Sequence, residues 1–221
     1  MESTERGRQL SELETIGERI LGGLEEKNRA REAALAVSRR VIQRAARSIR
    51  ATHREERDKA QSLLNEARQD VACLRQTVAG YPGLYFAGYV QDALKEYAEA
   101  SITYALTEGG ALPDPDDMGV EYAAYMNGLG EAVGELRRYV LDLIRRDDLK
   151  RCEELLEAMD EIYGFLVTVD FPDAITGGLR RTTDMVRGVL ERTRGDLTLV
   201  LQQRRLERAL KGFERGRRDD G

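Results

Sequence analysis

The chain has 221 residues, 41% of them apolar, with 35 basic against 40 acidic side chains and a net charge of −5. It is long enough to bury a core and too apolar for the disordered class, and four prolines with no tryptophan suit a helical protein. Its one histidine, His53, excludes His-dependent triads, Glu-x-x-His di-iron bundles and His-based zinc sites, which leaves carboxylates, arginines, hydroxyls and a hard metal for any catalysis.

Nearly every window has the helical period and none has convincing strand alternation. The pattern predicts helices near 4–26, 29–53, 56–78, 85–107, 119–146, 149–169 and 173–214. Asn28 is placed to cap the second, Gly80-Tyr-Pro-Gly83 ends the third, Glu108-Gly-Gly-Ala-Leu-Pro-Asp-Pro115 separates the fourth from the fifth, and Asp170-Phe-Pro172 opens the last. With no internal repeat and no Pro-, Gly- or Ser-rich linker, the economical reading is one all-α, seven-helix domain over 1–215, followed by a frayed tail at 216–221. No apolar run approaches bilayer-spanning length and Met1-Glu-Ser-Thr-Glu-Arg lacks a signal-peptide core, so a cytoplasmic protein without a membrane contact is expected. Cys73 and Cys152 lie far apart without neighbouring ligands and are expected to be reduced, packed thiols.

The second helix is strongly basic. Between Arg29 and Arg54 eight arginines face the single acid Glu32. Arg40, Arg44, Arg47 and Arg54 fall within a quarter of the helix circumference, with Leu35, Ile42, Ala45, Ala46 and Ile49 opposite. Guanidinium forks suit phosphate oxygens, so the stripe reads either as a nucleic-acid backbone track or as the partner of acidic helices in the same molecule. His53, at its end, reads as a capping or packing residue.

The fourth helix carries Asp92, Glu96 and Glu99 at i, i+4 and i+7, one stripe of carboxylates, with Val90, Ala93, Leu94, Tyr97, Ser101 and Tyr104 on its other face. Such a stripe is either a solvated face or an oxygen-ligand metal site. Glu131, Glu135 and Asp142 share a face of the fifth helix, and Glu153, Glu157 and Asp160 share a face of the sixth. These faces are either the outside of a bundle or, where two converge, a seat for Mg²⁺ or Mn²⁺. The last helix, roughly 60 Å long at about 1.5 Å per residue, carries Leu197, Leu199, Val200, Leu201, Leu206 and Leu210, more apolar surface than one neighbour hides. A partner chain is the natural cover.

Several of these segments resemble the translin and translin-associated factor X (Trax) superfamily, its archaeal Trax-like members most closely. The resemblance is carried by Phe171-Pro-Asp-Ala-Ile-Thr-Gly-Gly-Leu-Arg-Arg-Thr-Thr-Asp184 and Glu191-Arg-Thr-Arg-Gly-Asp-Leu-Thr198, by Gly128-Leu-Gly-Glu-Ala-Val-Gly-Glu-Leu-Arg-Arg138 and Tyr81-Pro-Gly83, and by Leu94-Lys-Glu-Tyr-Ala-Glu-Ala100, which is similar to Trax's Gln-Glu-Tyr-Val-Glu-Ala. Ser38-Arg-Arg through His53-Arg54 is a looser match.

The resemblance implies a seven-helix bundle assembling, often as octamers, into a hollow shell that takes in RNA or single-stranded DNA. It implies that Trax subunits are metal-dependent endoribonucleases with inward carboxylates, and that translin subunits bind without the full set. Glu96 and Glu99 match the two Trax glutamates and Glu135 a family glutamate. The third Trax carboxylate aligns with Gly164, which makes Asp160 one turn earlier the candidate substitute. The expected function is therefore an Mg²⁺- or Mn²⁺-dependent endoribonuclease, with Glu96, Glu99 and Glu135 holding the ion, Asp160 assisting, and Arg40, Arg44, Arg47, Arg50 and Arg54 on the phosphate backbone of single-stranded RNA or DNA. The alternative is a non-catalytic binding shell. A third reading, an all-α nucleoside-triphosphate pyrophosphohydrolase built on Glu96/Glu99 and Glu157/Asp160, has 57 intervening residues, too many for that pattern, and leaves the basic helix unexplained.

Overall fold

The computed structural model describes the backbone of residues 2–219 and the side chains of residues 12–212. Six long helices make up the fold: α1 (Glu2–His53), α2 (Arg57–Val78), α4 (Gly88–Glu108), α6 (Tyr122–Arg146), α7 (Leu149–Thr168) and α9 (Leu179–Asp219). Single turns α3 (Pro82–Tyr85), α5 (Pro115–Met118) and α8 (Asp173–Thr176) punctuate them, and the described residues contain no strand. The expected tail at 216–221 lies outside the described side chains.

Two expected boundaries move. Residues 4–53 form one helix rather than two, because Asn28 sits among strong helix formers and nothing turns the chain there. Seven expected helices thus become six long ones. The last helix starts at Leu179 rather than 173, since Gly177 and Gly178 adopt positive φ (63° and 82°), stop α8 after one turn and redirect the chain.

Helices α4 and α6 pack on each other at the centre, α1 and α2 cover the outer side of α4, and α7 and α9 cover that of α6. Each helix contributes a stripe to this core: Ala34, Val37, Val41 and Ala45 from α1, Val90, Leu94, Ala98 and Ile102 from α4, and Leu129, Val133, Leu136 and Val140 from α6. Two glycines bring α6 into its slot. A Cβ at Gly128 would lie 2.7 Å from the Lys95 carbonyl oxygen of α4, and one at Gly130 would lie 2.4 Å from the Thr182 side chain of α9.

Beyond the core, Leu13, Ile16, Ile20, Leu21 and Leu24 on the first half of α1 are exposed, as are Leu199, Leu206 and Leu210 on α9. Both cysteines are free; Cys152 is buried as expected, whereas Cys73 is exposed on α2. No described helix is long and apolar enough to cross a membrane.

Candidate functional site

Glu96 and Glu99 stand on the face of α4 that meets α6, and there they join Glu131. One carboxylate oxygen of each lies within 4.8 Å of the other two. The close approach at Gly128, one turn before Glu131, sets this meeting. Glu99 is only 9% exposed, and burial first, then the charges of Glu96, Glu131 and Glu135, push its pKa up to about 8. Burial also raises the Glu96 carboxyl, with Glu131 and Asp92 adding to the rise against Lys95. Lys95 is the local counter-charge: its Nζ lies 2.8 Å from Glu131 Oε1 and 3.8 Å from Glu96 Oε1. Burial works against its ammonium, but the hydrogen bond to Glu131 and the neighbouring acids more than offset that and raise its pKa.

Glu135, one turn beyond Glu131, turns to α1. Its Oε2 is 2.5 Å from Nε2 of His53, and this bond holds its carboxyl below the usual range against the opposing effect of burial. A carboxylate can only accept, so the proton of that bond belongs to His53 Nε2. His53 Nδ1 is buried without a hydrogen-bond partner. His53 is thus a packed side chain that also binds a functional-site candidate.

The α7 acids behave differently. Glu153, Glu157 and Asp160 are exposed, and Asp160 accepts a 2.8 Å hydrogen bond from Arg194 of α9. Gly164 lies on the same outward face, and a Cβ there would meet nothing within 4 Å. The convergence anticipated as a possibility between acidic faces occurs between α4 and α6, not with Glu157 and Asp160. Three oxygen donors from two rigid helices, two of them carboxyls raised by burial and by their acidic neighbours, match the hard-ligand chemistry of Mg²⁺ or Mn²⁺.

The arginine stripe divides. Arg40 Nε lies 3.3 Å from Oδ1 of buried Asp70 on α2, and Arg44 binds Asp70, the Glu66 carboxylate at 3.1 Å and the Glu66 carbonyl at 3.2 Å. Arg47, Arg50 and Arg54, at i, i+3 and i+7, are exposed and form no ion pair among the described residues. The split follows from the buried stripe of α1, centred on Val41 and Ala45, which turns Arg40 and Arg44 toward α2.

A cleft of about 1110 Å³ opens beside the carboxylates. Asp92, Lys95 and Glu131 line it together with Phe86, Tyr122, Asn127 and Arg181. The glutamate of α6 that completes the cluster is part of a visible acidic stripe; its rotation toward α4 is signalled only by Gly128.

No family model matches the chain. It is 30% identical over 199 residues to the uncharacterized protein MJ0175 of Methanocaldococcus jannaschii, covering 89% of this chain and 88% of that protein. Among solved structures it is similar to AfC3PO in complex with duplex RNA, at 34% identity and a TM-score of 0.79, covering 85% of this chain and 97% of that one. AfC3PO alone gives 33% and 0.78 over the same shares. Apo-NeC3PO, at 19% identity, a TM-score of 0.73 and 81% and 96% coverage, shares the fold.

Proposed function

The chain belongs to the translin/Trax family, to which the C3PO proteins belong, and on that premise we propose that it is a nucleic-acid-binding subunit of a hollow homo-oligomeric shell that cleaves single-stranded RNA with a divalent metal. The observation that carries the catalytic part is the approach of Glu96, Glu99 and Glu131 to within 4.8 Å of one another, with Glu99 buried. The similarity to a protein solved with duplex RNA supports the binding part. The exposed apolar stripes of α1 and α9 support assembly, which we read as an octamer. The subunit is the single helical domain over 1–215, and the reading includes a cytoplasmic location.

Glu96, Glu99 and Glu131 would hold Mg²⁺ or Mn²⁺. Bound there, the ion would lower the pKa of a water and offset charge developing on the phosphoryl group. Lys95 orients the Glu131 carboxylate through its 2.8 Å bond. Glu135, kept ionised by His53 and near enough for its charge to act on Glu99, is suited to accept a proton from the attacking water or hydroxyl. Arg47, Arg50 and Arg54 contact the phosphate backbone without reading bases, which gives low sequence specificity and steep salt dependence. Asp160 lies outside this machinery, paired with Arg194.

The test is cleavage of labelled single-stranded RNA in Mg²⁺ or Mn²⁺. Wild type should cut, EDTA should stop it, and Glu99→Ala should bind RNA without cutting. A wild type that binds but never cuts leaves the non-catalytic shell, and hydrolysis of nucleoside triphosphates in place of RNA would favour the pyrophosphohydrolase reading.

A further inference from the structure

The cleft beside the carboxylates has features that ion binding alone does not require. Its lining includes two aromatic rings with most of their surface in water, Phe86 at 65% and Tyr122 at 61% exposure. They are not loosely held. Phe86 follows α3 and meets the Tyr85 ring edge-on, with centroids 5.0 Å apart and planes at 76°. The Tyr85 hydroxyl donates a 2.8 Å bond to Glu121, which is the N-cap of α6 and directly precedes Tyr122. A single hydrogen bond therefore ties the turn that carries one ring to the helix start that carries the other.

The same cleft holds Arg181, exposed in the first turn of α9 and in no ion pair among the described residues. The rest of that wall is fixed: Asn127 donates to the carbonyls of Ala123 and Thr176 and accepts from Thr182, joining α6, α8 and α9. Glu131 belongs both to this cleft and to the carboxylate cluster, and Lys95 of the cleft binds it at 2.8 Å, so the cleft and the cluster share a wall.

Aromatic faces and a volume of about 1110 Å³ suit a nucleobase, and although Asp92, Glu121, Glu131 and Asp173 make most of the rim acidic, the spare guanidinium of Arg181 gives its phosphate a cationic contact. A base can reach those rings only if it leaves its own stack, which a paired base does at a cost and an unpaired one does readily. We infer that this cleft is a subsite for an unpaired nucleotide next to the phosphate held at the carboxylates, its base stacked on Phe86 or Tyr122 and its phosphate met by Arg181. The inference rests on the nuclease reading above and adds to it the side chains that take the unpaired base beside the cut: Phe86, Tyr122 and Arg181.

The experiment uses the full-length protein, a short labelled oligouridylate carrying 5-iodouridine, and the same strand annealed to its complement, all with Ca²⁺ in place of Mg²⁺ or Mn²⁺, so that an oxygen-ligand cation neutralises the carboxylates while cutting is slowed. Irradiation should cross-link the single strand at Phe86 or Tyr122, and the duplex much less. Phe86→Ala, Tyr122→Ala and Arg181→Ala should each weaken binding of the single strand roughly tenfold while binding of the duplex changes little. Each variant should also cut single-stranded RNA more slowly in Mn²⁺ with unchanged affinity for the ion. Equal binding and cutting by all three variants, with no cross-link at either ring, would overturn the subsite and leave the nuclease reading standing. A variant that changes the oligomeric state on size exclusion would overturn it too, by assigning the cleft to a second copy of the chain. A wild type that binds no RNA would remove both readings.

Discussion

Gly128 on α6 stands against the carbonyl oxygen of Lys95 on α4 with no room for a methyl group, since a Cβ there would lie 2.7 Å from that oxygen and 3.0 Å from the Glu99 amide nitrogen. The neighbours are backbone and the short, unrotatable Ala98 Cβ at 2.9 Å, so the helices must separate to admit it. Gly128→Ala should therefore lower stability by about 1–3 kcal/mol despite the better helix propensity of alanine. It should also weaken Mn²⁺ binding, because Glu131 one turn on would move away from Glu96 and Glu99. Thermal melting and an Mn²⁺ titration check the two effects together.

Glu99 gives the metal-free protein a pH dependence of defined sign. Its folded pKa of about 8 lies above the ordinary 4.5, so its contribution is fully present below about 4.5 and is lost as pH rises through 8. In EDTA the melting temperature of wild type should fall over that window relative to Glu99→Gln, and the variant should be the more stable of the two at pH 8. Mn²⁺ should restore wild type and leave the variant unaffected. Parallel pH curves would contradict the buried-carboxyl account.

Arginines from one stripe should behave differently. Replacing Arg47 and Arg50 together by Ala should weaken RNA binding and reduce the slope of log affinity against log salt by about 1–2, with little change in stability. Arg44→Ala takes from buried Asp70 one of its two arginine partners, leaving only Arg40 at 3.3 Å, and should destabilise the fold while leaving the salt slope nearly unchanged. Fluorescence anisotropy across a salt series, with melting curves for each variant, separates the outcomes.

The helices are legible in the sequence because hydrophobic period and turn chemistry are local, and the breaks read at Gly80-Tyr-Pro-Gly83 and at 108–115 are close to their places. Asn28 misleads because a good cap residue does not by itself interrupt a helix. Glu96 and Glu99 are legible as a pair on one stripe. Their companion is not, since Glu131 and Glu135 share a face of α6 and the rotation that sends one to α4 and the other to His53 depends on packing at Gly128 and Gly130. Spacing within a helix says nothing of that rotation. For the same reason the alignment that points to Gly164 and Asp160 picks residues on an outward face, while the third oxygen of the cluster comes from another helix. The arginine stripe leaves two readings open in the sequence, and the fold divides it: Asp70 and Glu66 occupy Arg40 and Arg44 and leave Arg47, Arg50 and Arg54 exposed.

The central claim is that Glu96, Glu99 and Glu131 hold a divalent cation, and an Mn²⁺ titration followed by electron paramagnetic resonance tests it most directly. Wild type should bind saturably, Glu99→Ala and Glu131→Ala should each lose at least about tenfold in affinity while remaining folded and assembled, and Asp160→Ala should bind as wild type does. No saturable binding by wild type, or full affinity in Glu131→Ala, would contradict the account and return the three glutamates to an ordinary acidic seam between α4 and α6.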